Sequence, residues 1–279
     1  MKTKLLVTAV AFALSSSALA QVADSVIAEQ RAQLAANTEG KGFGPQSPRD
    51  LDQEDGNNLR LFSKAPSHTQ MNLCNIHFHA AAEHKGGEFT TYAGNGDGEG
   101  YNTGYVYNGT LAQELLAPPS RAICPGSKGS LQSGDTIEVH YVFSSAQVQP
   151  GATLGSCLAD GTMNPQLRVE GQVLVLVNDE NAADFQQLAA VGTENGYHQA
   201  LNIPTNTGDP IEYAGSTTGP AYNTQGSPLQ VSWSVRPEVA YVNIDSVGAW
   251  CDSNPFEERA AHGVRNLVIN PDLISDIDD

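Results

Sequence analysis

Five short runs dictate most of what this chain can fold into. They are 71–80 (MNLCNIHFHA), 135–145 (DTIEVHYVFSS), 167–178 (LRVEGQVLVLVN), 229–246 (LQVSWSVRPEVAYVNIDS) and 264–269 (VRNLVI). Each is rich in β-branched and aromatic residues, which suit a pleated, half-buried surface. Gly, Asn, Asp and Pro separate them, as expected of strands joined by turns. Twenty-seven glycines fit a chain with many such turns. Two helices are expected. Residues 22–37 (VADSVIAEQRAQLAAN) place Val22, Val26, Ile27, Leu34 and Ala35 at roughly helical spacing, and 181–191 (NAADFQQLAAV) is the second. Residues 38–70 read as loop. The spacing of the runs is too irregular for a simple sandwich. The expected class is α+β, β-rich, with no Pro/Ser linker to divide it, so residues 21–279 are expected to form one domain.

Residues 1–20 stand apart. Lys2 and Lys4 precede an apolar run from Leu5 to Leu14 and a small-residue site at Ala18-Leu19-Ala20. That is the pattern of a secretory signal peptide cleaved before Gln21, and it predicts a periplasmic or secreted protein. The formal net charge of −17 speaks against nucleic-acid and anionic-lipid partners, and no later stretch is long and apolar enough for a membrane span. In an oxidising compartment, the four cysteines Cys74, Cys124, Cys157 and Cys251 read as two disulfides. Three pairings are open, and Cys74–Cys251 with Cys124–Cys157 is preferred. No CxxC is present to suggest thiolate zinc or redox chemistry.

Three of only seven histidines fall within residues 75–84, NIHFHAAAEH. On a strand, residues 75, 77 and 79 share a face, so His77 and His79 can grip one ion. His140, inside TIEVHYVF, is the strongest third ligand, with Glu138 and Val142 on its face. Three imidazoles leave a fourth tetrahedral position open, the pattern of a catalytic rather than a structural zinc site. Asn75 and Glu138 each lie two residues before a histidine on the same face, placed to accept its other N–H. Zinc held by three neutral imidazoles keeps its double charge and brings the pKa of a bound water to ~7, against ~15.7 in bulk.

These residues carry a family resemblance. NLCNIHFHAAAEHKGGEF followed by GDTIEVHYVF resembles carbonic anhydrases, closest to the δ-class and its bacterial relatives, with α-class-like active-site motifs. GPQSPRDLD (44–52) resembles a segment near the start of α-class domains. GSTTGP (215–220) with VSWSV (231–235) resembles their Thr-Thr-Pro loop and the Trp strand after it. The resemblance implies a single catalytic domain around a large, mostly antiparallel (mixed) central sheet. It implies reversible hydration of carbon dioxide to bicarbonate and a proton through zinc-bound hydroxide, with one Zn2+ per chain on His77, His79 and His140. Asn75 and Glu138 would support those ligands. Thr217 would hydrogen-bond the hydroxide, Glu83 would accept the Thr217 proton, and Thr218 would help place bicarbonate. Val142, Val231 and Trp233 would form the apolar pocket, in a monomer or homodimer. The sequence departs from the α-class in a long insert between Glu83 and Glu138, in Ser216 where a larger apolar residue is usual, and in Gly219 where the first proline follows the Thr pair. The proton-transfer residue does not carry over; His68, His84, His198 and His262 are its candidates.

Two rivals use the same residues. His77, His79 and Glu83 also match the core of a cupin metal motif, in which Glu83 is a ligand and iron or manganese is favoured. A periplasmic zinc-binding protein without catalysis would need only the imidazoles.

Overall fold

The structure, a computed structural model, describes residues 21–60, 62–162, 164–217 and 220–277. The elements run in the order α1 (Asp24–Thr38), β1 (Asn72–Ala80), β2 (Thr91–Asn95), β3 (Thr103–Val106), β4 (Ile123–Gly126), β5 (Gly129–Leu131), β6 (Thr136–Ser144), β7 (Leu167–Val177), α2 (Phe185–Leu188), β8 (Val191–Glu194), β9 (Tyr197–Ala200), β10 (Ile211–Ser216), β11 (Gln230–Val235), β12 (Ala240–Asn243) and α3 (Ile244–Asp252). The central sheet has the order β1-β6-β7-β11-β10, with β12 also paired to β7. It is mixed: β1–β6, β6–β7 and β10–β11 are antiparallel, while β11 and β12 run parallel to β7. The architecture is the β-rich α+β one expected. The expected signal peptide, residues 1–20, lies outside the described residues.

Strand alternation sorts the side chains into two layers. Ile76 and Phe78 of β1, Ile137, Val139 and Tyr141 of β6, and Leu174 and Leu176 of β7 join Ile244, Val247 and Trp250 of α3 in one apolar cluster. On the opposite face Val142, Val169, Val173, Val231, Trp233 and Val235 form a second cluster. β7 is buried along its whole length, because it carries a layer on each face. That is why its second half, residues 173–177 (VLVLV), is a continuous apolar run.

Several expectations are corrected. The 229–246 run is two strands, broken where Arg236 and Pro237 leave the sheet, and its tail begins α3, capped by the Asn243 side chain on Ser246 N. Residues 264–269 are not a strand. Their N–H groups are taken by loop and side-chain acceptors instead of a ladder: Arg265 N donates to Glu83 Oε1, Asn266 N to Asn223 Oδ1 and Val268 N to Pro48 O. The second helix shrinks to Phe185–Leu188, capped by Asp184, and Val191 already opens β8.

The preferred disulfide pairing is also overturned. Cys74 bonds Cys157, and Cys124 bonds Cys251. The physical reason is the position of each cysteine. Cys74 lies with Cys157 in the cluster on the site face of the sheet. Cys124 on β4 and Cys251 on α3 lie in the cluster on the other face, so the sheet separates Cys74 from Cys251. No helix among the described residues is long and apolar enough to cross a membrane.

Candidate metal centre and active-site cavity

The β1–β6 register sets the site. His77 stands opposite His140 and His79 opposite Glu138, so two neighbouring strands present three imidazoles to one point. The ligand atoms of His77, His79 and His140 lie within 4.8 Å of one another, and His140 Nδ1 is 3.3 Å from His77 Nε2.

The tautomer of each ring follows from its other nitrogen. Asn75 Nδ2 donates to Gly151 O at 3.0 Å, which turns Asn75 Oδ1 towards His77 Nδ1 at 2.7 Å. That oxygen can only accept, so His77 carries its proton on Nδ1 and offers a lone pair at Nε2. His79 Nδ1 donates to Gly263 O at 2.9 Å, leaving Nε2 deprotonated, buried and without a hydrogen-bond partner among the described residues. His140 Nε2 donates to Glu138 Oε1 at 2.8 Å, leaving Nδ1 as its inward atom. With these tautomers, three lone pairs face one point.

The charge state agrees. Burial pushes His77 well below the ordinary histidine value, and His140 and His79 push it further. Burial lowers His79 to about 4 against the partial opposition of Glu83. His77 and His79 are thereby held neutral, the form in which an imidazole ligates a metal. An orphaned buried lone pair on His79, with two more converging on it, fits a divalent N-liganded ion such as zinc.

Glu138 anchors this assembly. It is fully buried, and its Oε1 accepts from His140 Nε2 and from His84 Nδ1 at 2.6 Å. Its Oε2 accepts from Glu83 N at 2.7 Å and His84 N at 3.0 Å. The two histidines, with these hydrogen bonds, hold its carboxyl well below the usual range despite burial. His84 Nε2 then meets Tyr213 Oη at 2.7 Å, and Tyr213 Oη meets Ser47 Oγ at 2.9 Å. Ser47 Oγ accepts from Ser216 N at 3.0 Å. The 44–52 segment thus ties the ligand network to the strand that leads into Thr217. Gly215 makes this approach possible, because a Cβ there would sit 2.1 Å from Ser47 Oγ.

The imidazoles open into a cavity of about 870 Å³. Val142, Val169, Trp233 and Leu154 form apolar wall, and Glu83 and Thr217 also line it. Val231 is fully buried in the same apolar cluster, but the cavity wall at this point is Val169. Glu83 Oε1 takes Arg265 N, whereas Oε2 is buried without a donor. No hydrogen bond joins Glu83 to Thr217 here. Thr217 N is held by Leu229 O at 2.9 Å. Thr218 lies outside the described residues. A second cavity, of about 920 Å³, is lined by residues such as Lys128 and Asp135 and contains none of the three imidazoles.

The profile of the delta carbonic anhydrase family matches residues 68–246. That is more than half of the chain and spans all three imidazoles. The chain belongs to the delta carbonic anhydrase family. It is a carbonic anhydrase, an enzyme of carbon dioxide hydration. A search of curated proteins finds no match to its sequence. Among solved structures it is similar to an α-carbonic anhydrase from Thermovibrio ammonificans, at 14% identity over 83% of this chain and 87% of that one, with a TM-score of 0.26. It is also similar to a halotolerant carbonic anhydrase from Dunaliella salina, at 14% identity over 84% and 92%, TM-score 0.32. For the Photobacterium profundum α-carbonic anhydrase the figures are 16% over 89% and 96%, TM-score 0.27.

The cavity wall also holds residues to which the family resemblance gives no role. His262, Glu258 and Arg265 line the cavity, and His262 Nε2 bonds Glu258 Oε2 at 2.8 Å. His262 is one of the proton-transfer candidates in the sequence, whereas Glu258 is marked only by its i, i+4 spacing from His262, and Arg265 lies in the run that reads as a strand. Of the other histidines, His84 is buried against Glu138, and His68 pairs with Glu170. His198 sits in the β8–β9 hairpin. The cupin ligand set is not brought together. Glu83 Oε1 approaches the Nδ1 side of His79 at 3.6 Å, away from the nitrogen that converges with His77 and His140.

Proposed function

We propose that this carbonic anhydrase hydrates carbon dioxide with one zinc ion held by His77 Nε2, His79 Nε2 and His140 Nδ1. The convergence of three proton-free nitrogens within 4.8 Å carries the reading. When bound, zinc supplies a Lewis acid that makes a nucleophile of water near neutral pH. The chain's own residues do the rest. Asn75, Gly263 O and Glu138 fix the three tautomers and raise the basicity of the rings. Glu83 Oε2, buried and without a donor in the structure, is the acceptor that the Thr217 hydroxyl would take during turnover, a hydrogen bond that the structure itself does not contain. Thr217 Oγ1 can then only accept, which orients the attacking oxygen towards substrate, an effect of proximity and alignment. Val142, Val169 and Trp233, backed by Val231, offer apolar surface to an uncharged substrate and exclude water from it. Thr218 helps to place the bicarbonate product.

The protein works in the periplasm or outside the cell, after removal of residues 1–20, as one domain spanning 21–279. Its two disulfides support an oxidising compartment. The test is His140→Ala. It should purify folded, with less than a tenth of the wild-type zinc content and no measurable carbon dioxide hydration. Full zinc occupancy and turnover in that variant would remove the ligand assignment.

A further inference from the structure

The molecule has three deeply buried arginines with different fates. Arg49 gives its guanidinium to the carbonyls of Ser275 and Gln53. Arg168 is paired with Glu170 and Glu212. Arg265 is only 7% exposed, yet its guanidinium makes no hydrogen bond or ion pair among the described residues, and its Nε is buried without a partner. The Tyr222 ring centroid lies 5.1 Å from its guanidinium carbon. A cation–π contact offsets less than the cost of removing a full charge from water. Burial accordingly lowers its pKa to about 10, with Glu83 compensating only in part.

Arg265 lines the active-site cavity, and among the described residues no other Arg or Lys does. Asn223 lines it too. Asn223 Oδ1 is used by Asn266 N at 2.9 Å, which fixes the amide and leaves Nδ2 without an acceptor among the described residues. The site thus holds a planar guanidinium fork and an amide N–H, all donors and none with a protein acceptor among the described residues. The remaining charged groups of the wall, Glu83, Glu99 and Glu258, are acidic, and the chain as a whole carries −17. An anion stays in such a cavity only beside a compensating cation.

We propose that Arg265 and Asn223 form a subsite for a small planar oxyanion, and that its natural occupant is bicarbonate. The three oxygens and single charge of bicarbonate match the fork geometry of a guanidinium. The choice of bicarbonate rests on the carbonic anhydrase reading; the anion site itself does not.

The experiment is a 13C NMR titration of the mature protein with 13C-bicarbonate, in metal-free and zinc-loaded forms. Metal-free wild type should bind one bicarbonate saturably. Arg265→Gln and Asn223→Asp should each weaken this at least tenfold, with Arg265→Lys between. Asn223→Asp keeps the acceptor for Asn266 N, and thermal melting checks that each variant is folded. If Arg265→Gln does not fold, Asn223→Asp and Arg265→Lys decide the matter. Binding that appears only with zinc, or folded variants that bind like wild type, would overturn the subsite. Stopped-flow hydration by the zinc-loaded wild type is measured alongside. Its absence would overturn the catalytic reading while leaving the metal-free anion titration to stand or fall by itself.

Discussion

Glu138→Gln changes one atom of a fully buried carboxylate and should cost the enzyme either its metal or its stability. The carboxylate accepts four donors, two backbone N–H groups at Oε2 and two imidazole N–H groups at Oε1. An amide has one acceptor and one donor end. With its NH2 turned towards the rings, His140 must give up the proton on Nε2 and carry it on Nδ1, the atom that faces His77. That tautomer cannot bind an ion, and loss of such a supporting group lowers metal affinity about 10–100-fold. With its NH2 turned the other way, it faces Glu83 N and His84 N, leaving two buried donors unsatisfied at about 1–3 kcal/mol each. Zinc affinity is read by competition with a chelator, and stability by denaturant unfolding of the metal-free protein. At least one must fall by these amounts. A variant with zinc affinity within threefold of wild type and unchanged unfolding would refute the tautomer argument.

Three further outcomes are expected. Thr217→Ala should bind zinc like wild type but lose hydration roughly 100-fold through misorientation; wild-type turnover would show that another group orients the nucleophile. Peptide mapping should link Cys74 to Cys157 and Cys124 to Cys251. Removing either bond should destabilise the fold by about 4–5 kcal/mol in the chain-entropy account. Only the Cys74–Cys157 loss should also lower activity, because that bond tethers the segment bearing Thr153, Leu154 and Gly155, which line the cavity. Acid should unfold the protein partly through Glu170, whose carboxyl is drawn down to about 2 by its hydrogen bond with His68 and by Arg168, against burial. A lowered carboxylate stabilises the fold above its unfolded value and loses that contribution as pH falls, so roughly 3 kcal/mol should disappear between pH ~4.5 and ~2. Glu170→Gln should flatten this part of the stability profile, and an unchanged profile would contradict it.

What the sequence reveals about the site follows from where its chemistry is local. His77 and His79 with Asn75, and His140 with Glu138, are strand neighbours at spacing two, so alternation alone puts each pair on one face. Contact between the pairs needs only that β1 and β6 adjoin. Gly263 O, Arg265 and His262 reach the same site from a segment that meets β1 only through a single backbone bridge at His262 and is otherwise held by loop and side-chain acceptors, a placement that no local pattern encodes. The Val264–Ile269 stretch has the composition of a strand and fails to be one because Glu83, Asn223 and Pro48 take its N–H groups. The disulfide pairing is illegible in the sequence for a related reason. Which face of the sheet a cysteine occupies depends on register and on the irregularity between Leu73 and Asn75, and chain spacing says nothing about either. The short hairpins β2–β3, β4–β5 and β8–β9 have weak alternation and escape notice, although the first belongs to the insert whose Tyr101 closes part of the cavity.

The central claim is that a three-imidazole zinc site drives carbon dioxide hydration. Stopped-flow hydration by the mature protein, measured as purified, after chelation and after zinc is returned, tests it most directly. The account predicts turnover that vanishes with the metal and returns with stoichiometric zinc. Turnover that survives complete metal removal, or a folded and fully zinc-loaded protein with none, would contradict it.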